Sequence, residues 1–271
     1  MKYLRIYLFI AIFVLCAAGQ ACTVSKKSTY TEPSLTAIQQ RGTLLVGTTG
    51  DYRPLTYREP TSGDYWGFDL EVAQRIAERI GVPITYIQTS WPTLTSDVLN
   101  KKLFDFAIGG ITITNTRKET MDMSDGYLVN GKTILCRKKD ANKFQTLTDM
   151  NKSTVRVMVN PGGLNEKFAR EKLPQATIIV YPKNEEIPAQ VAAGKADVMI
   201  TEITEAPYYE KMDMRLAAPL LERPFTRGEI GVLMRRGQAD LLQRINAIIA
   251  EMKKDGSLQK LHKKYGLVYR Y

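Results

Sequence analysis

The sequence is short of the side chains from which most hydrolytic and metal-dependent sites are built. It has one histidine, His262, and three cysteines in 271 residues. A lone histidine argues against a Ser–His or Cys–His catalytic unit and against a histidine metal site. His262 falls in a Lys-rich C-terminal helix pattern and reads as a solvated surface residue. Cys136 follows Thr133, Ile134 and Leu135 and reads as a small core residue rather than a reactive thiol. No apolar run reaches the roughly 18 residues that a comfortable membrane span needs. Basic residues are in excess, yet no basic run is interleaved with aromatics, so nucleic acid is not an expected partner.

The amino terminus has the layout of an export leader. A basic start with Lys2 and Arg5 precedes an apolar run over 6–18, and Gly19-Gln20-Ala21 offers a small-residue cleavage site before Cys22. Residues 1–21 are therefore assigned to a signal that sends the protein to the periplasm. Cys22 raises lipid anchoring, but Gly19 stands where the usual lipobox has Leu, so anchored and unanchored forms both stay open. Residues 22–34 are polar and read as a flexible segment. Without Lys2 and Arg5 the net charge of +10 becomes +8, a balance suited to a small anionic ligand.

Strand and helix signals then alternate, which implies α/β layers. Apolar, β-branched runs over 43–48, 83–89 and 105–113 read as strands. Between the first two, Val72, Ala73, Ile76, Ala77 and Ile80 recur at helical spacing, with Asp69 as the expected cap and Gly81 as the stop. A short helix is expected over 91–101 and a further strand over 133–137. The pattern restarts after Asp140, with strands over 154–159, 177–181 and 197–200. Helices start near Asn165 and Pro188, and proline is tolerated in a first turn. A third stretch, 229–234, reads as one strand before an amphipathic helix over 239–254 and a final helix. Two similar halves and a returning tail suggest a first lobe of 35–139 plus 229–271 and a second of 140–228. The chain would cross between them twice, near 137–140 and 227–229, and ligand would sit in the cleft.

Two stretches carry the chemistry. The run VNPGGLNEKFAR over 159–170 is a strand, a glycine turn and a helix start, a place suited to an anion or a polar group. Asn165 there can meet ligand or simply cap the helix. The run ADVMITEITEA over 196–206 is a strand ending in Glu202 and Glu205. If a helix starts there, the two acids share a face. Proximity and burial would raise a carboxyl pKa, a helix N-terminus would lower it, and burial is expected to win for Glu205. Both could equally be solvated acids at a helix start. Arg117 follows the GGITIT turn and can grip a carboxylate through paired N–H bonds. Tyr52 and Trp91 could wall an unsaturated ring or be ordinary core. Lys132 precedes a strand and could approach a carboxylate.

The segments TTGDYRP from Thr48, GFDLEVAQRIAE from Gly67, DFAIGGITITNTR from Asp105 and DGSLQKLHKKYGL from Asp255 resemble, in that order, the type 3 periplasmic solute-binding proteins. The resemblance covers nearly all of the chain beyond the leader. TTGDY, TSWPTL from Thr89, NGKT from Asn130, NPGGLNEKFAR and the Glu205-Ala206 ending look closer still to the cyclohexadienyl dehydratases, an enzyme branch on that fold. The resemblance implies a two-lobed periplasmic-binding-protein fold with two hinge crossings. It implies a lyase that takes prephenate to phenylpyruvate, L-arogenate to L-phenylalanine, or both, with no cofactor and no metal. Arg117 and Thr112 would hold one substrate carboxylate. Asn165 and Lys132 would hold other polar groups, with Gly110, Tyr52, Trp91 and Glu202 also in contact, and Glu205 would be the catalytic acid. The alternative is a non-catalytic receptor that passes an amino acid or carboxylate to an ABC transporter. Three positions depart from the branch: Gly109 replaces a serine, Thr114 an asparagine and Glu202 an aspartate. The change at Gly109 removes a donor from the pocket and that at Glu202 lengthens an acid, and both bear on which substrate is preferred. Oligomeric state is not legible in the sequence.

Overall fold

The apolar run that opens the repeating pattern forms the strand Leu44–Thr48, and everything in the first lobe is arranged around it. The structure, a computed structural model, describes residues 35–268, so the leader and the 22–34 segment lie outside the described residues. In the first five-stranded sheet the order is Ile84–Gln88, Leu44–Thr48, Phe106–Ala107, Leu233–Arg235 and Met121–Met123. The first three run parallel, and the last two add antiparallel pairings. The second sheet has the order Thr177–Val180, Arg156–Val159, Val198–Glu202, Lys132–Arg137 and Leu216–Ala217. Its first three strands are again parallel. Each sheet is sandwiched by helices, with apolar side chains buried on both faces, as parallel sheets require.

The helix Phe68–Ile80 buries Val72, Ala73, Ile76 and Ala77 against the first sheet and stops at Gly81 in the left-handed region. The helix Ala239–Lys254 buries Leu241, Ile245, Ile248, Ile249 and Met252 in the same apolar cluster as the strand Leu44–Thr48. Cys136 is fully buried, as a small core residue should be.

Several expectations change. The strand Lys132–Arg137 pairs with Val198–Glu202 and Leu216–Ala217, so it belongs to the second lobe and the first crossing precedes it. Residues 132–139 therefore leave the first lobe. Leu128–Asn130 and Gly228–Ile230 pair antiparallel as a two-stranded ribbon, and both crossings run through it. The segment read as one strand over 229–234 is two, Gly228–Ile230 and Leu233–Arg235, in different sheets. The helix over 91–101 shortens to Leu94–Leu99. His262 is fully buried, not solvated. Its ring faces the main-chain oxygens of Tyr127 and Val268 and meets Phe68 edge-on, and burial pushes its pKa down. The Lys-rich surroundings hid this, because the helix Ser257–Tyr265 exposes its lysines and turns His262 inward with Leu258 and Leu261.

Asp69 does not cap its helix. The cap residue is Gly67, at φ 144°, and Asp69 lies inside the first turn, buried. A Cβ on Gly67 would lie 2.2 Å from the main-chain oxygen of Leu55. Gly67→Ala is expected to cost about 1–3 kcal/mol, the usual range for backbone strain of this kind. Urea unfolding would measure it, and an unchanged midpoint would show that the backbone relaxes at no cost.

Candidate functional site

The parallel strands of both lobes point their carboxyl ends at the space between the sheets, where open α/β folds bind ligand. A chamber there is lined by Tyr52, Trp91, Gly110, Thr112 and Arg117 from the first lobe. Lys132, Asn160, Gly163, Leu164, Asn165 and Glu202 line it from the second. Its free volume is about 20 Å³, room for roughly one water. The lobes are thus closed. A wider recess of about 420 Å³ adjoins it, sharing Thr112, Arg117, Lys132, Leu164 and Glu202.

The first lobe supplies an anion anchor. Arg117 sits on the short helix Asn115–Thr120, whose cap is Thr114, accepting from the Arg117 N–H. Thr114 is thereby occupied with capping. The guanidinium donates to the main-chain oxygen of Thr112 at 2.6 Å. No carboxylate among the described residues pairs with it, and burial lowers its pKa to about 10 against the pull of Glu202. A half-buried cation without a counterion favours an anionic ligand. The turn before it depends on two glycines. A Cβ on Gly110 would strike the Tyr52 ring at 2.6 Å. One on Gly109 would lie 2.8–2.9 Å from Thr56 and Thr48, so a serine does not fit there without a shift. The buried Asp69 accepts from the Gly110 N–H at 2.5 Å, which fixes the turn from below and takes that N–H out of ligand binding. Burial pushes Asp69 up to about 7.

The second lobe supplies a charged network. Lys132 and Glu202 are cross-strand partners, and their Nζ and Oε1 lie 2.5 Å apart. Lys132 also donates to Asn165 Oδ1 at 2.6 Å, and Asn165 donates on to Asn160 at 3.3 Å. Tyr52 and Thr112, from the first lobe, donate to the same Glu202 carboxylate, which therefore bridges the lobes. Burial pushes the Glu202 pKa up, but Lys132 and the donors outweigh it and hold the carboxyl below its usual range. Asn165 does not cap the helix Leu164–Lys172, since Gly163 occupies that position without a side-chain bond. The expected anion-binding turn is partly engaged already, because the Gly162 N–H donates to Glu166 at 2.8 Å. Trp91 meets Tyr52 edge-on, with centroids 5.8 Å apart, and its indole N–H donates to Asp51.

Glu202 and Glu205 do not share a helix face. Glu202 ends its strand, whereas Glu205 is the cap residue of the helix Ala206–Met212. Glu205 is fully buried and does not line the chamber. Thr201 donates to one of its oxygens, and Asn184 donates to the other at 2.8 Å. Burial, with Glu202 and Asp51 nearby, pushes its pKa up to about 8 despite those two donors. Sequence reasoning thus named eight of the lining residues but missed Asn160, Gly163 and Leu164, which sit in or beside the NPGG run. It also missed the supporting Asp51, Asp69, Asn184 and Thr201. Asp51 and Asn184 carry no motif of their own, and only the fold brings them here.

A carboxyl raised on folding takes up protons, so it stabilises the fold at low pH and that contribution is lost as pH rises through the folded value. Glu205 at about 8 and Asp69 at about 7 act in the same direction. Unfolding free energy should therefore fall between pH 5 and pH 8.5, by up to about 1.4 kcal/mol per unit for each group. Glu205→Gln should flatten the slope and gain stability relative to wild type at the alkaline end. Equal slopes in urea titrations of the two proteins would place Glu205 in an ordinary ionised state.

Residues 44–268 match the family model of bacterial extracellular solute-binding proteins, family 3. The chain is 40% identical over 208 residues to cyclohexadienyl dehydratase of Pseudomonas aeruginosa, covering 77% of each protein. It is similar to the crystal structure of an ancestral amino acid-binding protein described as a precursor of cyclohexadienyl dehydratase. That match has TM-score 0.78 and 36% identity, over 85% of this chain and 98% of the other. It is also similar to the crystal structure of an ancestral cyclohexadienyl dehydratase, with TM-score 0.52 and 50% identity, over 85% of this chain and 95% of the other. With the two-lobed mixed α/β architecture and the cleft between its sheets, the chain belongs to the bacterial extracellular solute-binding proteins of family 3.

Proposed function

We propose that the protein is an exported lyase that converts prephenate to phenylpyruvate, L-arogenate to L-phenylalanine, or both. Its leader would send it to the periplasm, with Cys22 either free or lipid-anchored. The observation that carries this reading is Glu205, a fully buried carboxyl with neutral partners and a pKa near 8, beside a cleft that holds Arg117 and Lys132. A receptor for a carboxylate needs the cations. It has no use for an acid kept protonated at neutral pH, whereas loss of a ring hydroxyl does. The 40% identity to one dehydratase and the 50% identity to another support the same choice.

In this reaction Arg117 and Thr112 hold one substrate carboxylate. Lys132 turns from Glu202 toward the other, with Asn165 fixing its ammonium. Tyr52 and Trp91 wall the ring. Glu205 stands behind the chamber wall, so the ring hydroxyl reaches it where Tyr52 and Glu202 part. Glu205 gives its proton to the hydroxyl, which leaves as water. The ring carboxylate leaves as carbon dioxide, and the electron pair of the broken C–C bond completes the aromatic ring. Aromatisation drives the reaction and the fixed pose lowers its barrier, so no cofactor is required.

The second reading is a receptor that hands an amino acid to an ABC transporter. The facing of Arg117 by Glu202 favours it, since that pair complements a zwitterion. One experiment separates the two. Purified protein incubated with prephenate should yield the ultraviolet signal of phenylpyruvate, and Glu205→Gln should lower turnover by about 10²–10⁴, the usual worth of a general acid. Tight amino-acid binding without turnover would leave the receptor standing. By calorimetry, Arg117→Ala should weaken carboxylate binding by about 2 kcal/mol or more, as loss of hydrogen bonds to a charged group implies. Retained affinity would remove Arg117 from the anchor role.

A further inference from the structure

Asn184 lies on a single 3₁₀ turn, 184–186, in the second lobe, and is fully buried. Its side-chain nitrogen makes two hydrogen bonds. One goes to Glu205 Oε1 at 2.8 Å, within its own lobe. The other goes to the main-chain oxygen of Asp51 at 3.0 Å, in the first lobe. Its side-chain oxygen is buried with no partner among the described residues, so the NH₂ group makes all of its side-chain hydrogen bonds there. A main-chain oxygen can only accept, so the Asp51 contact compels Asn184 to present its NH₂ group and not its oxygen. The same NH₂ then faces Glu205. Without Asp51 opposite, the amide is free to turn over and offer its acceptor to the acid instead.

We propose that Asn184 is a positioning residue that couples lobe closure to the readiness of Glu205: only when the lobes meet does Asp51 orient the amide so that it donates to Glu205 Oε1. The proton of the acid is then confined to Oε2, the oxygen beside Thr201. The inference rests on the reading of Glu205 as the general acid. When the lobes part, Asp51 leaves Asn184 and the proton of the acid loses its fixed oxygen. The ionisable groups that also act on Glu205 are Glu202 on the preceding strand and Asp51 across the cleft, while Tyr52 and Tyr209 feel its charge in turn. None of these supplies a second donor to Oε1.

Asn184→Leu removes both donors at similar volume, and Asn184→Asp keeps the shape but supplies no donor at neutral pH. Both should lower kcat with prephenate by about tenfold or more, the equivalent of one hydrogen bond to a charged group. KM should change by less than about threefold, because Arg117 carries the anchoring. The alkaline limb of kcat should move to higher pH, since a lost donor favours the protonated acid. A fall in kcat with an unmoved alkaline limb, or a loss carried by KM alone, would assign Asn184 to lobe packing and overturn the inference. If wild type turns over no prephenate, the lyase reading fails, and the contact is still read from stability. In urea unfolding from pH 5 to pH 9, Asn184→Leu should extend the pH-dependent loss of stability to higher pH, and the extension should vanish in a Glu205→Gln background. An extension that persists in that background means Asn184 does not act on Glu205.

Discussion

Enclosing charged side chains between two lobes removes their water, and the state of each then depends on which partner it meets. Glu202 meets Lys132, Tyr52 and Thr112 and stays ionised. Glu205, three residues later, meets only neutral donors and is pushed up to about 8. Two carboxyls on one short segment thus take opposite states through environment alone. Arg117 is the third outcome, a half-buried cation without a carboxylate partner among the described residues. Because Tyr52 and Thr112 reach Glu202 from the opposite lobe, the same contacts that set these states also hold the cleft shut. A ligand that competes for Lys132 and Arg117 would rearrange both together.

Family membership fixes the frame but not the chemistry, since one fold carries receptors and enzymes alike. A cleft lined by Arg117, Thr112 and Glu202 would serve an amino-acid receptor as it stands. What goes beyond that need is placed out of the chamber: a protonated acid behind the wall, with Asn184 and Thr201 dedicated to it. Asp69 follows the same pattern in the first lobe, holding the Gly110 turn from below. Residues that touch ligand are thus positioned by buried polar groups that do not, which is how a site keeps its geometry through opening and closing.

Much of this was legible in the sequence. The helices with regular apolar spacing, such as 68–80 and 239–254, lie where their periodicity puts them, because a helix with one apolar stripe has one way to bury it. Lining residues were legible where they belong to motifs at strand ends, as with Arg117, Asn165 and Glu202. Three kinds of information were not. The lobe that owns the strand Lys132–Arg137 depends on non-local pairing, to which local pattern is blind. The inward turn of His262 depends on which face of its helix docks, and its lysine neighbours pointed the wrong way. Asp51 and Asn184 lie 133 positions apart and meet only through lobe closure. The serine-to-glycine departure at 109 needed coordinates to interpret: a side chain there would have to displace Thr48 and Thr56.

The central claim is that Glu205 stays protonated near neutral pH while Glu202 does not. Carbon-13 NMR of glutamate carboxyls, followed through a pH titration and assigned with Glu205→Gln, reads that state directly. A Glu205 midpoint near 8, with Glu202 titrating below the ordinary carboxylate range, is the predicted result. A Glu205 midpoint near 4.5 would contradict the account, because an acid ionised at neutral pH has no proton to give.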